Sequence, residues 1–282
     1  MSKASRPFSL SPVRVSKQTR EMILTLYPNL RDHLNALAYW RILQYILFCN
    51  YPDRRTNKQI LSYNVVASLV GAKPHDTRFR AGTWLDDFSG DVFPLDPSEW
   101  NYKEGRARTI DPEIDPRIWA ALERDRERCR NEEDAGWVLF DTGELASRRK
   151  WKAAIRAHDK AILQAEVIPS GHPGLPVMEF LNNQPPHSLI KIIKANLPRL
   201  DAAVEAMPRH TEHERLRYQY SRCLADHLLE HQKMRYTVLE NSPRVYSRQM
   251  TVNQLPRELR KIALSGAVEL DLKACQLAIV AR

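Results

Sequence analysis

The chain has 282 residues, of which 43% are hydrophobic and 27% are charged. This length exceeds one typical domain, and the hydrophobic share is sufficient for packed cores, so two or three folded units are expected. There are 43 Lys and Arg residues against 34 Asp and Glu, which gives a formal net charge of +9. Such an excess favours a polyanionic partner, because cations that neutralise phosphates release counterions, although a basic soluble protein without such a partner has the same charge.

Membrane insertion and a disulfide framework are not expected. The four cysteines lie far apart without a Cys-x-x-Cys pair, which indicates reduced thiols and a cytoplasmic location. The sequence lacks an apolar run of about 18 residues, the length that a membrane span needs. Residues 1–20 are basic and contain Ser and Pro instead of an apolar centre, so a signal peptide is not predicted either.

The amino-terminal half is predicted to be helical after a flexible basic arm over residues 1–20. Apolar residues between Leu34 and Leu47 recur at helical spacing, which predicts a buried helix. Residues 57–71 predict a further helix that ends at Gly71.

The next helix is expected to run to Leu85, with Asp76 or Thr77 as its cap and with Arg78 and Arg80 near its start. Two short helices joined by a tight turn resemble a helix-turn-helix. Plain packing of two helices explains the same pattern.

Proline-rich residues 91–118 are predicted to form an irregular connector, whose carboxylates are solvated. Charged helices are predicted over 118–130 and 148–164. The second helix carries a run of basic side chains: Arg148, Arg149, Lys150, Lys152, Arg156 and Lys160. This run suits a phosphate-facing stripe, and it equally suits a solvated helix face.

A Pro- and Gly-rich segment, 169–186, is the predicted linker between a helical amino-terminal domain over 21–168 and the remainder. Beyond it, short helices are expected over 189–197 and 201–207, followed by a long helix over 212–234. The inner stripe of the long helix is predicted to contain Leu216, Tyr220, Cys223, Leu224, His227, Leu228 and His231.

Residues 235–247 alternate β-forming residues around a turn at 241–243, which predicts a hairpin or a loop-joined strand pair. The stretch 241–261 contains one acid, Glu258, and five basic residues, Arg244, Arg248, Arg257, Arg260 and Lys261. Its amides include the adjacent pair Asn253 and Gln254. Basic residues with amides and an aromatic, Tyr246, suit contact with a nucleic-acid backbone and with base faces.

The last predicted strand, 268–272, delivers the carboxylate of Asp271 and is followed by a polar turn and an apolar helix start. Nucleotidyl transfer needs such carboxylates on rigid elements, because two divalent ions stabilise the attacking and leaving oxygens. Two other interpretations cover the same residues. Residues 268–272 form an ordinary buried strand with a solvated Asp, or Asp271 and Lys273 form a nuclease site with Glu240 or Glu258.

Four pieces in order resemble the start of the palm of family A DNA polymerases. They are Arg244-Val-Tyr-Ser, Val252-Asn-Gln-Leu-Pro, Arg260-Lys-Ile and Glu269-Leu-Asp-Leu-Lys-Ala-Cys-Gln-Leu-Ala. The resemblance implies that Asp271 is the metal-binding catalytic residue and that the main-chain carbonyl of Leu272 also touches metal. It places Arg244 along the nucleic acid and Gln276 at the incoming nucleotide, where the family has Glu. Because Ala278 also replaces an Arg of the family pattern, sugar selectivity is not implied.

The resemblance implies a mainly α protein with a small α+β carboxy-terminal part, in which 187–240 is thumb-like and 241–282 begins the palm. The chain would then be the amino-terminal part of a phage- or plasmid-type DNA polymerase that uses Mg²⁺, DNA primer–template and deoxynucleotide triphosphates. The family's fingers and second palm carboxylate do not occur before Arg282. We therefore expect the polypeptide alone to be inactive, unless a longer frame or a second chain completes the palm. The alternatives are a non-catalytic DNA-binding replication protein and the Asp271-x-Lys273 nuclease.

Overall fold

The computed structural model describes residues 10–32, 35–52, 57–71, 81–91, 95–96, 107–131, 136–164, 171–183, 188–230, 236–239, 242–247 and 252–267. Within these ranges the chain is mostly helical with a few short strands, which confirms the mainly α class.

The helices are α1 (Lys17–Leu26), α2 (Asn29–Asp32), α3 (Ala36–Gln44), α4 (Tyr63–Leu69), α5 (Ala81–Asp91), α6 (Pro116–Asn131), α7 (Arg148–Gln164), α8 (Leu175–Asn183), α9 (Ser188–Glu205), α10 (Glu212–Glu230) and α11 (Arg257–Ala263). A π-helical stretch, Tyr45–Cys49, continues α3, and a 3-10 turn, Val252–Gln254, precedes α11. The strands are β1 (Arg14–Ser16), β2 (Gln59–Ser62), β3 (Leu95–Asp96), β4 (Ala107–Pro112), β5 (Trp137–Leu139), β6 (Tyr236–Leu239) and β7 (Ser242–Ser247).

The end of the predicted basic arm is part of the fold. β1 pairs antiparallel with β5, so that Val15 lies opposite Val138, and Val15 is buried. Ser16 then caps α1 by accepting a hydrogen bond from the Thr19 amide at 3.0 Å. The prediction that residues 1–20 lack regular structure is therefore wrong from Arg14 onward, because alternation over three residues is too short a signal to recognise in a sequence.

A second antiparallel sheet has the order β2-β4-β3. Its strands occupy segments that were predicted as the start of a helix and as an irregular connector. The helix predicted over 57–71 begins only at Tyr63, because Gln59 and Leu61 alternate inward as a strand. The Gln59 amide fixes that strand by donating to the carbonyls of Ile46 and Asn50. The connector predicted over 91–118 contains β3 and β4, and Pro112 is the last residue of β4.

Aromatic side chains centre the larger core. The Trp40 ring meets Phe140 edge-on with centroids 5.1 Å apart, and Tyr39 meets Phe88 in the same way at 5.5 Å. The indole nitrogen of Trp40 donates to the Leu30 carbonyl at 3.1 Å, so its polar atom is satisfied. Burying each such ring stabilises the fold by about 1.5–3 kcal/mol.

α9 is one helix, whereas two short helices were predicted. Pro198 lies inside it, between the two predicted segments, and proline lacks the backbone N–H of a helical residue. Burial of Ile193, Leu200 and Val204 along one face holds the helix together through that position, since tertiary packing outweighs local propensity.

α10 contacts both cores through the predicted inner stripe. Leu216 and Cys223 belong to the larger core, while Tyr220, Leu224 and Leu228 belong to a second core with α9 and α11. The helix begins with a capping box in which Glu214 accepts from the Thr211 amide at 3.0 Å and Thr211 accepts from the Glu214 amide at 3.3 Å. The Thr211-x-x-Glu214 pattern is readable in the sequence and was missed.

Glu212 ties the first turn of α10 to α6. Its carboxylate accepts from the Trp119 indole at 2.9 Å and from the Ile114 amide at 3.2 Å. Burial raises the pKa of Glu212 above its ordinary value of 4.5, so the ionised form is disfavoured in the folded state. The stability that Glu212 contributes is therefore largest below its ordinary pKa and declines as the pH rises through the raised pKa.

We expect Glu212→Ala to lower the free energy of unfolding by about 1–3 kcal/mol, because two N–H groups lose their acceptor. Glu212→Gln keeps one acceptor oxygen and is expected to lose less. Urea denaturation of wild type and both variants, repeated at several pH values, measures this. The difference between wild type and Glu212→Gln should shift in favour of wild type as the pH is lowered; a difference that is independent of pH contradicts the assignment.

Candidate nucleic-acid surface

The predicted site residues divide into three groups. Asp271, Leu272, Gln276 and Arg248 lie outside the described residues. Arg244 and Asn253 occupy described backbone positions, in β7 and in the 3-10 turn. Gln254, Arg257 and Arg260 are described fully, and all three lie on the short segment that leads toward residue 268.

The segment that carries these three residues is firmly anchored. Val252, Leu255 and Leu259 are buried in the core shared with α9 and α10. The Asn196 amide, on α9, donates to the carbonyl of Ser265 at 2.8 Å and lies 3.4 Å from that of Ala263. A buried amide that holds the carbonyls at the end of α11 fixes where the chain leaves this helix.

The exposed charged side chains of α9 and α11, which pack against each other, are mainly basic. We call them the α9–α11 basic surface, formed by Lys191, Lys194, Arg199, Arg257 and Lys261. The exposed acid of α11 is Glu258, whose carboxylate is 3.9 Å from the Lys261 amine. Within the described ranges, Lys191, Lys194 and Arg257 form neither a hydrogen bond nor an ion pair. Cations held on a rigid support and open to solvent suit contact with phosphates.

The predicted hairpin is confirmed, because β6 and β7 pair antiparallel with Tyr236 opposite Ser247. Asn182, on α8, binds the backbone of Tyr236, which is the first residue of the hairpin. The Asn182 side-chain NH2 group donates to the Tyr236 carbonyl, and the Asn182 side-chain oxygen accepts from the Tyr236 amide, each at 2.9 Å.

Residues 169–186 were predicted as a linker, yet α8 lies within them. The helix was missed because neighbouring Pro and Gly residues outweighed its short apolar pattern.

The basic helix α7 has the predicted bounds. Its inner side is fixed by the buried Ile155 and by the Trp151 indole, which donates to the Pro12 carbonyl at 2.8 Å. Five of its basic side chains are exposed: Arg148, Arg149, Lys150, Arg156 and Lys160. α7 is thus a second surface that suits a polyanion.

No group of three or more His, Cys, Asp or Glu side chains within the described residues is arranged to hold a metal ion. In the same part of the chain, none of the helices combines the length and the apolar character that crossing a membrane requires.

No protein-family model matches the sequence, and neither a curated protein nor a solved structure is significantly similar to it.

Proposed function

We propose that the chain binds DNA primer–template through phosphates and is the amino-terminal part of a DNA polymerase similar to family A. The observation that carries this proposal is α11. α11 packs against α9 and carries the basic residues. In the sequence it is followed closely by 268–272, the predicted strand of Asp271. A polymerase needs that order, because the primer–template must be gripped beside the metal-binding carboxylate.

Magnesium fits the chemistry of Asp271, since a hard divalent cation prefers carboxylate oxygens. When bound, Mg²⁺ would neutralise charge on the transferred phosphoryl group. A single carboxylate does not hold two ions, so the remaining palm carboxylate would come from further residues or from a second chain. Residues of this chain would position the primer–template backbone, and Gln276 would face the deoxynucleotide.

In a polypeptide extended through the rest of the palm, Asp271→Ala is expected to abolish Mg²⁺-dependent primer extension. Lys273→Ala is expected to leave it intact, because Lys273 only occupies a turn position in the polymerase interpretation. A primer-extension and cleavage assay on both variants measures this. Cleavage that needs both residues would contradict the polymerase and favour the nuclease, while extension that survives Asp271→Ala would remove Asp271 from the site.

Arg244→Ala is expected to weaken primer–template binding by about 1–2 kcal/mol, the size of one charge-assisted phosphate contact with partial solvent screening. Fluorescence anisotropy at low salt measures the dissociation constant. Arg117→Ala is the matched control, since Arg117 is exposed at the start of α6 and already paired with Asp115 at 2.6 Å. An unchanged dissociation constant in a normally folded Arg244→Ala protein contradicts the proposed role.

A second candidate is a non-catalytic DNA-binding replication protein that uses α4 and α5. It is favoured by the order of elements, because β2 precedes this helix pair and β3 and β4 follow it, in one sheet. Against it, the exposed side chains of α5 include Asp86 and Asp87, which repel phosphates. Arg78→Ala with Arg80→Ala distinguishes the candidates: it should abolish DNA binding only if the helix pair is the binding element.

A further inference from the structure

Two cysteines that are far apart in the sequence, Cys49 and Cys223, lie together in the fold. Cys49 is the last residue of the π-helical stretch that continues α3, and Cys223 lies on α10. These two elements pack against each other. Cys223 belongs to the larger core, Cys49 packs against that same core, and the two thiols are side-chain hydrogen-bond partners. Both are free cysteines, so the structure holds two reduced sulfurs side by side.

The packing around the pair keeps the two sulfurs near each other. The rings of Tyr51 and Tyr220 meet edge-on with their centroids 5.2 Å apart, and these residues stand close to Cys49 and Cys223 in their respective segments. Ile46 and Leu47, in the same π-helical stretch as Cys49, are fully buried. π-helical turns are rare and occur frequently at functional sites. A disulfide between these elements therefore requires a local adjustment and not a rearrangement of the fold.

The two thiols differ in their access to an oxidant. Cys223 is only 6% exposed, whereas Cys49 is half-buried. The neighbouring Cys49 thiol and burial raise the pKa of Cys223 well above its usual range. Cys223 therefore stays protonated at neutral pH, and a protonated, buried thiol is a poor nucleophile toward an oxidant in solution. Oxidation of the pair is expected to begin at Cys49.

His227 stands beside the less accessible thiol. Its Nδ1 donates to the Cys223 carbonyl at 2.7 Å and lies 3.6 Å from the Cys223 sulfur. The sulfur thus faces an N–H group, which stabilises negative charge on it as the thiol loses its proton. Cys223 and His227 also line a cavity of about 300 Å³, which has room for a molecule the size of water or hydrogen peroxide.

We propose that Cys49 and Cys223 are a modification site, at which hydrogen peroxide forms a disulfide that a thiol reductant reverses. The Cys49 sulfur attacks a peroxide oxygen, the O–O bond breaks, and a sulfenic acid and one water form. The Cys223 sulfur then attacks the Cys49 sulfur. The S–O bond breaks, and the leaving hydroxide takes the Cys223 proton to form a second water. Peroxide is reduced, and the two thiols are oxidised.

This reaction would make the pair sensitive to the redox state of its surroundings. In a reducing compartment, a disulfide that forms only under oxidation is typical of a redox sensor. The bond would tie α10 covalently to the end of the π-helical stretch, and α10 also contributes to the second core with α9 and α11. The proposal does not depend on the proposed polymerase function, because it involves neither Asp271 nor the α9–α11 basic surface.

The full chain with Cys129→Ser and Cys275→Ser keeps only the proposed pair and is the protein to test. After treatment with hydrogen peroxide, mass spectrometry of the intact protein should show the loss of two hydrogens, and alkylation after unfolding should find no free thiol. Dithiothreitol should restore both thiols. Peptide mapping of the oxidised wild-type chain gives a second readout that needs no substitution, and it should find Cys49 joined to Cys223.

Two matched variants in the same background test the order of the steps. Cys223→Ser should accumulate a Cys49 sulfenic acid that dimedone captures, because the thiol that resolves it is gone. Cys49→Ser should keep Cys223 as a free thiol under the same treatment, because a buried thiol is inert. Thermal melting shows whether each variant folds, and the wild-type peptide map keeps the test valid if one does not.

Three results overturn the proposal. The first is that both thiols stay free in the folded, peroxide-treated protein. The second is that the disulfide joins other cysteines or forms only between two chains. The third is that Cys223→Ser yields no sulfenic acid while Cys49→Ser yields one, which would make Cys223 the sulfur that peroxide attacks.

Discussion

Arg222→Ala is expected to destabilise the fold by about 3 kcal/mol, the lower end of the range for breaking a buried ion pair. The Arg222 side chain is 16% exposed and contacts the carboxylates of Asp201, Glu205 and Asp226. Burial alone would lower the pKa of Arg222, but Asp226 and then Asp201 outweigh it and raise that pKa. Removal of the guanidinium leaves three neighbouring carboxylates without their shared cation. Partial exposure of Asp201 and Asp226 to water keeps the loss from being larger.

Urea denaturation of Arg222→Ala, with the midpoint and slope both fitted, measures this change. Arg217→Ala is the matched control on the same helix, since the Arg217 guanidinium donates to Asn57 at 2.7 Å in an exposed position. Its expected loss is below about 1 kcal/mol. Equal losses in the two variants would mean that α9 and α10 are held by their apolar contacts alone.

Charged groups on two different helices surround Arg222, so its ion pairs were not predicted from the sequence. The helical spacing of Leu216, Tyr220 and Leu224 predicts the buried stripe of α10 correctly, because a period of 3.6 is visible in one segment. The partners of Arg222 are contributed by α9 as well as by α10. Only the packing of the two helices brings them together.

Local signals decided which other elements were predictable. α6 and α7 follow from long, strongly periodic segments, whereas β2 and β5 are too short to show a reliable period. α9 continues through Pro198, between the segments predicted as two helices, because tertiary contacts support a helix across a residue that lacks a backbone N–H.

The structural features of possible functional interest also differ in how far the sequence predicts them. The basic residues of α11 were predicted from composition. A cavity lined by both Arg14 and Gln219, which are separated by more than two hundred positions, has no signature in the sequence.

The combined substitution Arg257→Glu with Lys261→Glu is expected to weaken primer–template binding by about two orders of magnitude, because two phosphate contacts are replaced by two repulsive charges. Both side chains are exposed on α11, so the fold should be retained. The slope of log affinity against log salt should become shallower by about 2, since each lost phosphate contact removes close to one released counterion. Fluorescence anisotropy across a salt series measures both quantities.

Lys17→Glu with Arg31→Glu is the matched control for that double variant. It changes the net charge equally, and both residues are exposed on α1 and α2, far along the chain from α11. If the whole charge of the protein attracted the nucleic acid, the two double variants would weaken binding equally and their salt slopes would change together. If the α9–α11 basic surface is the contact, only the α11 variant loses the salt-sensitive part of the affinity, because released counterions come from phosphates that are directly neutralised.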